Sequence, residues 1–408
     1  MPEPDRIVHD LHNLLDREPG LAELLQKSLQ KAAERAKDSL NSELYRALDW
    51  PQTLPEYGEY LTSFIRWIPR QTDAPAWKTT APHERYAKEV NDRLAHFFWL
   101  VDQKVDVDGT AIAENSKAFR GWLTEFARQW GSFLDTGESF DDDILQSFLR
   151  DAPEYTIEES LIDGRPNMPS GWQTFNQFFA RELNPGLRPI SEPADNRVIT
   201  SPADCSFQHC YDIGPESDIP ATTIKGTHRY GNIGQLLEGS RYAGAFSNGT
   251  FVHYMLPPSA YHRFHVPVSG KVEESFVING QVFMQVDLQD HELQSRDSSQ
   301  SGYEFFQTRG VLTLDTSGSP HGDVGVIAVV PVGMSHVASV NLSTVVGTEV
   351  TKGEEFGYFQ FGGSDIIILF QEGVGPEVDT DSAPRRVGSV VARCTQDRRP
   401  QRKGSVDG

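Results

Sequence analysis

Residues 352–370 read KGEEFGYFQFGGSDIIILF. Apolar residues dominate the segment in a strand pattern, yet Gly362-Gly363 interrupts it directly before Ser364. Glycine inside a strand weakens it unless the backbone there has a special task. Two tasks fit. One is a β-bulge or a close backbone approach. The other is a peptide bond set up for attack by the Ser364 hydroxyl on the Gly363 carbonyl, where a Cβ would obstruct the geometry.

The texture around this segment sets the fold class. From about residue 195, strand-like runs alternate with Gly, Pro, Asn and Asp. KVEESFVINGQVFMQVDL (271–288) predicts a hairpin about Asn279-Gly280, a favoured two-residue turn. GVIAVVPVGMSHVASVNL (325–342) predicts long buried strands. The polar stretch 287–302 between them predicts a surface loop and a candidate substrate lid. Residues 1–150 instead carry apolar residues at helical spacing, with a break at Pro19-Gly20. The expectation is α+β: a helical N-terminal domain (1–150), a linker (151–170), a mostly antiparallel β-sandwich or barrel-like catalytic domain (171–375), and a flexible basic tail (376–408). Residues 383–408 hold seven Lys and Arg against two Asp.

Bulk properties exclude several functions. The chain has 408 residues, a formal charge of −21 and a pI near 5.0. That balance argues against a nucleic-acid partner and against docking on an anionic leaflet. No 18-residue apolar run and no signal-like start are present, so a protein without a transmembrane segment, in the cytoplasm, is expected. Cys205, Cys210 and Cys394 are too scattered for a disulfide framework or a zinc site. His262 and His265 have an H-x-x-H spacing, but the prolines at 257, 258 and 267 argue against a helix. On a strand the two would point to opposite faces, so no metal is expected.

Five segments occur in an order that resembles the phosphatidylserine decarboxylase family. They are TFNQFFARELNPGLRPI (174–190), SPADC (201–205), YHRFHVPVSGKV (261–272), Gln307-Thr308-Arg309, and KGEEFGYFQFGGSD (352–365). The resemblance spans roughly 165–375. It implies self-cleavage between Gly363 and Ser364, with Ser364 becoming an N-terminal pyruvoyl group, and hence no pyridoxal phosphate and no metal. By the same resemblance Asp204 and His265 form a triad with Ser364, with the carboxylate fixing the imidazole tautomer, and His262 serves decarboxylation. The alternative for Asp204 is a turn residue after Ser201-Pro202. The alternative for His265 is a half-buried strand histidine. A homodimer is also expected from the family.

The implied reaction condenses a substrate amine with the pyruvoyl ketone as a Schiff base, releases CO₂ and returns an amine. Gly362 departs from the leucine usual in membrane phosphatidylserine decarboxylases and resembles the soluble fungal tryptophan decarboxylase subgroup. A free amino acid, tryptophan for example, is therefore the first expected substrate. The alternative is phosphatidylserine, a phospholipid head group. Phe283, Tyr303, Phe305 and Phe306 are candidates to line an apolar pocket, or are ordinary strand aromatics.

Overall fold

A computed structural model describes residues 4–78, 88–105, 116–224, 228–282, 284, 286–295, 303–334 and 339–395. The chain begins with helices α1 (Pro4–Arg17), α2 (Pro19–Ser39), α3 (Ser42–Ala47), α4 (Leu54–Phe64), α5 (Glu89–Val101), α6 (Lys117–Leu134) and α7 (Asp142–Asp151). Pro19 divides α1 from α2 as expected, standing at the start of α2, where its missing N–H costs nothing. Thr53 and Glu56 form a reciprocal capping box that starts α4. Along α6, Phe119, Leu123, Phe126, Trp130 and Leu134 are buried, the stripe that helical periodicity places on one face.

Residues 151–170 hold two short 3₁₀ turns and the hairpin β1 (Leu161–Ile162) with β2 (Arg165–Pro166). A single turn of helix, α8 (Phe175–Phe179), follows, capped by Thr174. Strands then dominate: β3 (Val198–Thr200), β4 (Ser206–Asp212), β5 (Asp218–Ile224), β6 (His228–Asn232), β7 (Thr250–Leu256), β8 (Arg263–His265), β9 (Gly270–Ile278), β10 (Val286–Gln289), β11 (Glu292–Ser295), β12 (Thr308–Asp315), β13 (Val326–Met334), β14 (Val340–Leu342), β15 (Glu349–Val350), β16 (Glu355–Phe359), β17 (Gly363–Phe370), β18 (Pro376–Val378) and β19 (Val390–Cys394). A short helix, α9 (Ile233–Leu236), lies between β6 and β7.

Seven strands form one antiparallel sheet in the order β15-β9-β12-β13-β17-β7-β4. A three-stranded sheet, β14-β16-β8, and another, β18-β19-β3, pack toward one face. Val252, Tyr254, Leu256, Ile366 and Ile368 from the large sheet meet Phe264, Phe356, Phe359 and Val391 there. Each such side chain contributes about 1.5–3 kcal/mol when fully buried. The opposite face buries Phe251, Val330, Ile367 and Leu369 against α9, Phe246 and Phe305. A third core joins the helices to α8, to Leu293 on β11 and to Phe361. The architecture is α+β with layered, mostly antiparallel sheets, and no closed barrel forms among the described residues.

Three expectations need correction. Asn279-Gly280 does not turn a hairpin: β9 pairs with β12 and β15, and the chain beyond Gly280 runs against Gln307 instead. A Cβ at Gly280 would overlap the Gln307 carbonyl group, so this glycine serves close approach of two backbones. The described part of the polar insert is no loop but the hairpin β10-β11, which rests on the helices, and the remainder of the candidate lid, 296–302, lies outside the described residues. Asp102 accepts the Val286 N–H at 3.0 Å, Lys88 pairs with Glu292 at 2.6 Å, and the Asn41 N–H donates to His291 O. Finally, the basic tail does not begin at 376. β19 pairs with β3 and β18, and Ser389 O accepts from Ser201 N. Residues 396–408 lie outside the described residues.

Candidate active site

Ser364 stands on β17 between Gly333 of β13 and Leu256 of β7. Ile366, Ile368 and Phe370 share its side of the strand and face the core between the sheets. Ser364 is 1 % exposed, and its Oγ has no hydrogen-bond partner. Leaving a buried hydroxyl unmade costs about 1–3 kcal/mol, so an orphan of this kind asks for a reason. Gly362 has φ +156°, a backbone conformation that L side chains rarely adopt.

The segment before Ser364 is held from the helical side. Asn176 on α8 accepts the Phe361 N–H at 3.2 Å, and its amide donates to Gly131 O and Asp135 Oδ1. The Phe361 ring packs edge-on against Trp130, Phe175 and Phe179. The conformation of the Gly-Gly-Ser segment is thus anchored at the helical core.

His262 is fully buried just before β8, and its ring stacks on Phe179 with centroids 4.0 Å apart. Neither ring nitrogen has a partner. Burial, helped by the nearby Arg181 charge, holds its pKa down to about 3, so the imidazole is neutral and available as an acceptor.

His265, on β8, bonds elsewhere. Its Nδ1 lies 2.9 Å from Gly353 O and its Nε2 3.1 Å from the Tyr261 hydroxyl. A carbonyl only accepts, so Nδ1 carries the proton and Nε2 is the acceptor. The Gly353 carbonyl therefore fixes the tautomer that the sequence reading assigned to Asp204. Burial lowers the His265 pKa, while the Gly353 bond and the charges of Glu355 and Asp204 act to raise it.

Asp204 pairs with Arg188, whose Nη2 lies 2.6 Å from Oδ2, and Oδ1 accepts the Val387 N–H at 2.8 Å. No hydrogen bond links Asp204, His265 and Ser364 to one another in this structure. What ties Asp204 to His265 is the turn just before Asp204: the His265 N–H donates to Pro202 O at 2.7 Å. The carboxylate is drawn to Arg188 because a bidentate guanidinium outcompetes a neutral imidazole.

Of the expected pocket aromatics, Phe305 and Phe306 pack away from Ser364. Phe305 belongs to the core on the opposite face of the large sheet, and Phe306 packs between that core and the helical one. Alternation along β17 is the reason, since neighbouring positions face opposite sides. Phe283 lies outside the described residues, and of Tyr303 only the backbone is described.

Two clefts flank this region. One, of about 270 Å³, is lined by Asn176, Ala180, Arg181, Arg263, Tyr358 and Gln360, among others. The other, of about 520 Å³, reaches Arg188, Asp204, Pro257, Tyr261, Arg385 and Arg386. Sequence reasoning missed Asn176, Arg181, Arg188 and Tyr261 as site residues. All four stand in or beside the quoted motifs, which was the available signal.

Comparison with known proteins gives the family. Residues 175–393, more than half of the chain, match the family model described as phosphatidylserine decarboxylase. Phosphatidylserine decarboxylase proenzyme 2 of Oryza sativa is 32 % identical over 250 residues, covering 61 % of this chain and 36 % of the rice protein. The proenzyme 2 of Komagataella phaffii is 34 % identical over 262 residues, covering 63 % of this chain and 23 % of the yeast protein. Decarboxylase iboD of Amanita muscaria is 25 % identical over 279 residues, covering 62 % of this chain and 77 % of that protein. The chain thus spans well under half of the rice and yeast relatives. The names of all three relatives are those of decarboxylases. The chain belongs to the phosphatidylserine decarboxylase family.

Proposed function

We propose that this chain cleaves itself between Gly363 and Ser364 and then decarboxylates an amino-acid head group. The observation that carries the reading is the buried, unpartnered Ser364 Oγ directly after a glycine pair. The hydroxyl is available to attack the Gly363 carbonyl carbon, and glycine leaves that carbon unobstructed. Attack breaks the C–N bond and leaves an ester. Elimination frees the Gly363 carboxylate and forms dehydroalanine, which takes up water, releases ammonia and becomes the pyruvoyl group. That ketone supplies an electron sink for loss of CO₂ from an amine substrate.

His265 is the base proposed for cleavage. Its Nε2 is the acceptor nitrogen, held here by the Tyr261 hydroxyl, and cleavage requires it to exchange that partner for the serine. Asp204 acts at a distance, favouring the charged imidazole. His262, neutral at pH 7, is suited to take a proton from the substrate ammonium, which must lose one before it attacks a ketone. The same nitrogen then returns a proton to carbon.

The names of the rice and yeast relatives favour phosphatidylserine as substrate. A free amino acid is the second reading. It is favoured by Gly362, which departs from the leucine expected of the membrane enzymes. The test is an amine-release screen of phosphatidylserine vesicles against free amino acids, run on wild type, His265→Ala, Asp204→Asn and His262→Ala. Loss of the general base costs on the order of 10⁴-fold, and loss of the Asp204 charge acts through that base. The first two variants should accumulate precursor, whereas His262→Ala should mature and fail to release amine. Normal maturation of His265→Ala would remove it as the base.

A further inference from the structure

Lys352 opens the motif that ends just after the cleavage serine, and it is 5 % exposed. Its Nζ donates to three backbone carbonyls: Glu192 O at 2.8 Å, Asp195 O at 2.5 Å and Val198 O at 2.7 Å. An ammonium has three N–H groups and no acceptor, so these three carbonyls satisfy the charged form completely. Burial pulls the Lys352 pKa down to about 8, with Asp195, Glu192 and Cys394 acting to raise it.

These bonds join two segments that both hold His265. Residues 192–198 lead into β3 and on to Pro202, whose carbonyl accepts the His265 N–H. On the other side, the Lys352 N–H donates to Ser269 Oγ at 2.9 Å and the Gly353 N–H to Val266 O at 2.8 Å. The Gly353 carbonyl accepts from His265 Nδ1. One buried side chain thus clamps the segment behind the His265 backbone to the turn that faces its ring.

We propose that Lys352 is a positioning residue for self-cleavage: its ammonium clamps residues 192–198 to the turn 351–354, and so keeps the Gly353 carbonyl on His265 Nδ1 and leaves Nε2 as the acceptor. A Gly353 carbonyl that drifts away lets the imidazole adopt the other tautomer, whose protonated Nε2 cannot take the Ser364 proton. Charge matters as well as reach. A neutral lysine offers two N–H groups to three carbonyls, so the clamp loosens when the proton is lost. The inference rests on His265 as the cleavage base and adds the group that sets its tautomer.

Cleavage should then follow a bell-shaped pH profile. The rate rises as His265 becomes neutral, a step set by burial, the Gly353 bond, and the charges of Glu355, Asp204 and Arg263. It falls again as Lys352 deprotonates near pH 8. Asp195 stays ionised, its pKa held at about 2 by Arg197, while burial pushes the Cys394 thiol up to about 12 and the Tyr261 phenol higher still. None of these three supplies the alkaline limb.

The test follows full-length precursor from cell-free translation on gels, from about pH 6 to about pH 9.5, for wild type, Lys352→Met and Lys352→Arg. The His265 tautomer is read from its ring-nitrogen NMR shifts in the uncleaved Ser364→Ala chain. Lys352→Met should cleave about 10- to 100-fold more slowly, the loss usual when a group that orients a histidine is removed. In the Ser364→Ala chain the same substitution should turn a single Nδ1–H tautomer into a mixture. Lys352→Arg stays charged, so it should cleave within about tenfold of wild type and lose the alkaline limb. Wild-type cleavage by Lys352→Met, an Nδ1–H tautomer left intact in it, or an alkaline limb that survives in Lys352→Arg overturns the proposal, even where the melting temperature falls. Should Lys352→Met not fold, the Ser364→Ala chain with its lysine decides. A tautomer mixture emerging above about pH 8 supports the proposal, and a single tautomer up to about pH 9.5 contradicts it. Normal maturation of His265→Ala would instead remove the base reading, and the tautomer spectra would still decide what Lys352 holds.

Discussion

His253 Nε2 lies 2.9 Å from Asp365 Oδ2, with both side chains fully buried, on the face of β17 opposite to Ser364. Glu304 belongs to the same buried polar group. Burial raises its pKa to about 7, with the Asp365 charge adding to the rise and that of His253 opposing it. The residue next to the cleavage serine therefore looks into a different core from the serine itself.

This separation predicts the behaviour of Asp365→Asn. The variant weakens the bond to His253 without touching the Ser364 side of the sheet. Maturation should proceed within a few-fold of wild type, while stability falls by about 1–3 kcal/mol. Denaturant unfolding and a time course of cleavage on gels read the two effects. A complete block of cleavage would place Asp365 in the proton path.

His262 gives a pH prediction with a definite sign. Its pKa is about 3 in the fold against the ordinary 6.5 of an exposed histidine. Between those values the unfolded chain binds the proton and the folded chain does not, so stability falls as pH drops from 6.5 toward 3. The slope from this group alone approaches about 1.4 kcal/mol per pH unit. In His262→Gln that contribution disappears. The melting temperature of wild type minus that of the variant should therefore shrink steadily from pH 7 to pH 5. A difference that stays constant over this range would mean that the ring titrates in the fold as it does in the unfolded chain.

The hairpin β10-β11 should act on stability and not on substrate. Its ties run to Asp102, Lys88 and Asn41 on the helical side. Replacing residues 287–294 with a short Gly-Ser turn should lower the melting temperature and leave KM within about twofold. Raised KM with unchanged melting would restore the lid.

Much of this was legible in the sequence where local pattern and tertiary context agree. The apolar stripe of α6 and the break at Pro19 needed only periodicity and the missing proline N–H. Ser364 was marked by glycines that a strand does not otherwise favour. The errors came from contacts distant in sequence. Asn279-Gly280 carries turn chemistry, but Gly280 is used for approach to Gln307. Residues 376–395 look polar and loose, yet β19 completes a sheet with β3, and Asp204 pins Val387. Asp204 itself was assigned to His265, and nothing in the local sequence announced that Arg188 would claim it.

The central claim is cleavage between Gly363 and Ser364, and intact-mass measurement of the purified protein tests it most directly. The account predicts a 363-residue piece and a 45-residue piece (408 − 363), the shorter one blocked at its N-terminus by the pyruvoyl ketone. The two should separate only on denaturation, because β17 pairs with β13 and β7, and β19 pairs with β3. Ser364→Ala should remain a single inactive chain. A wild-type protein that decarboxylates its substrate as one uncleaved 408-residue species would contradict the account.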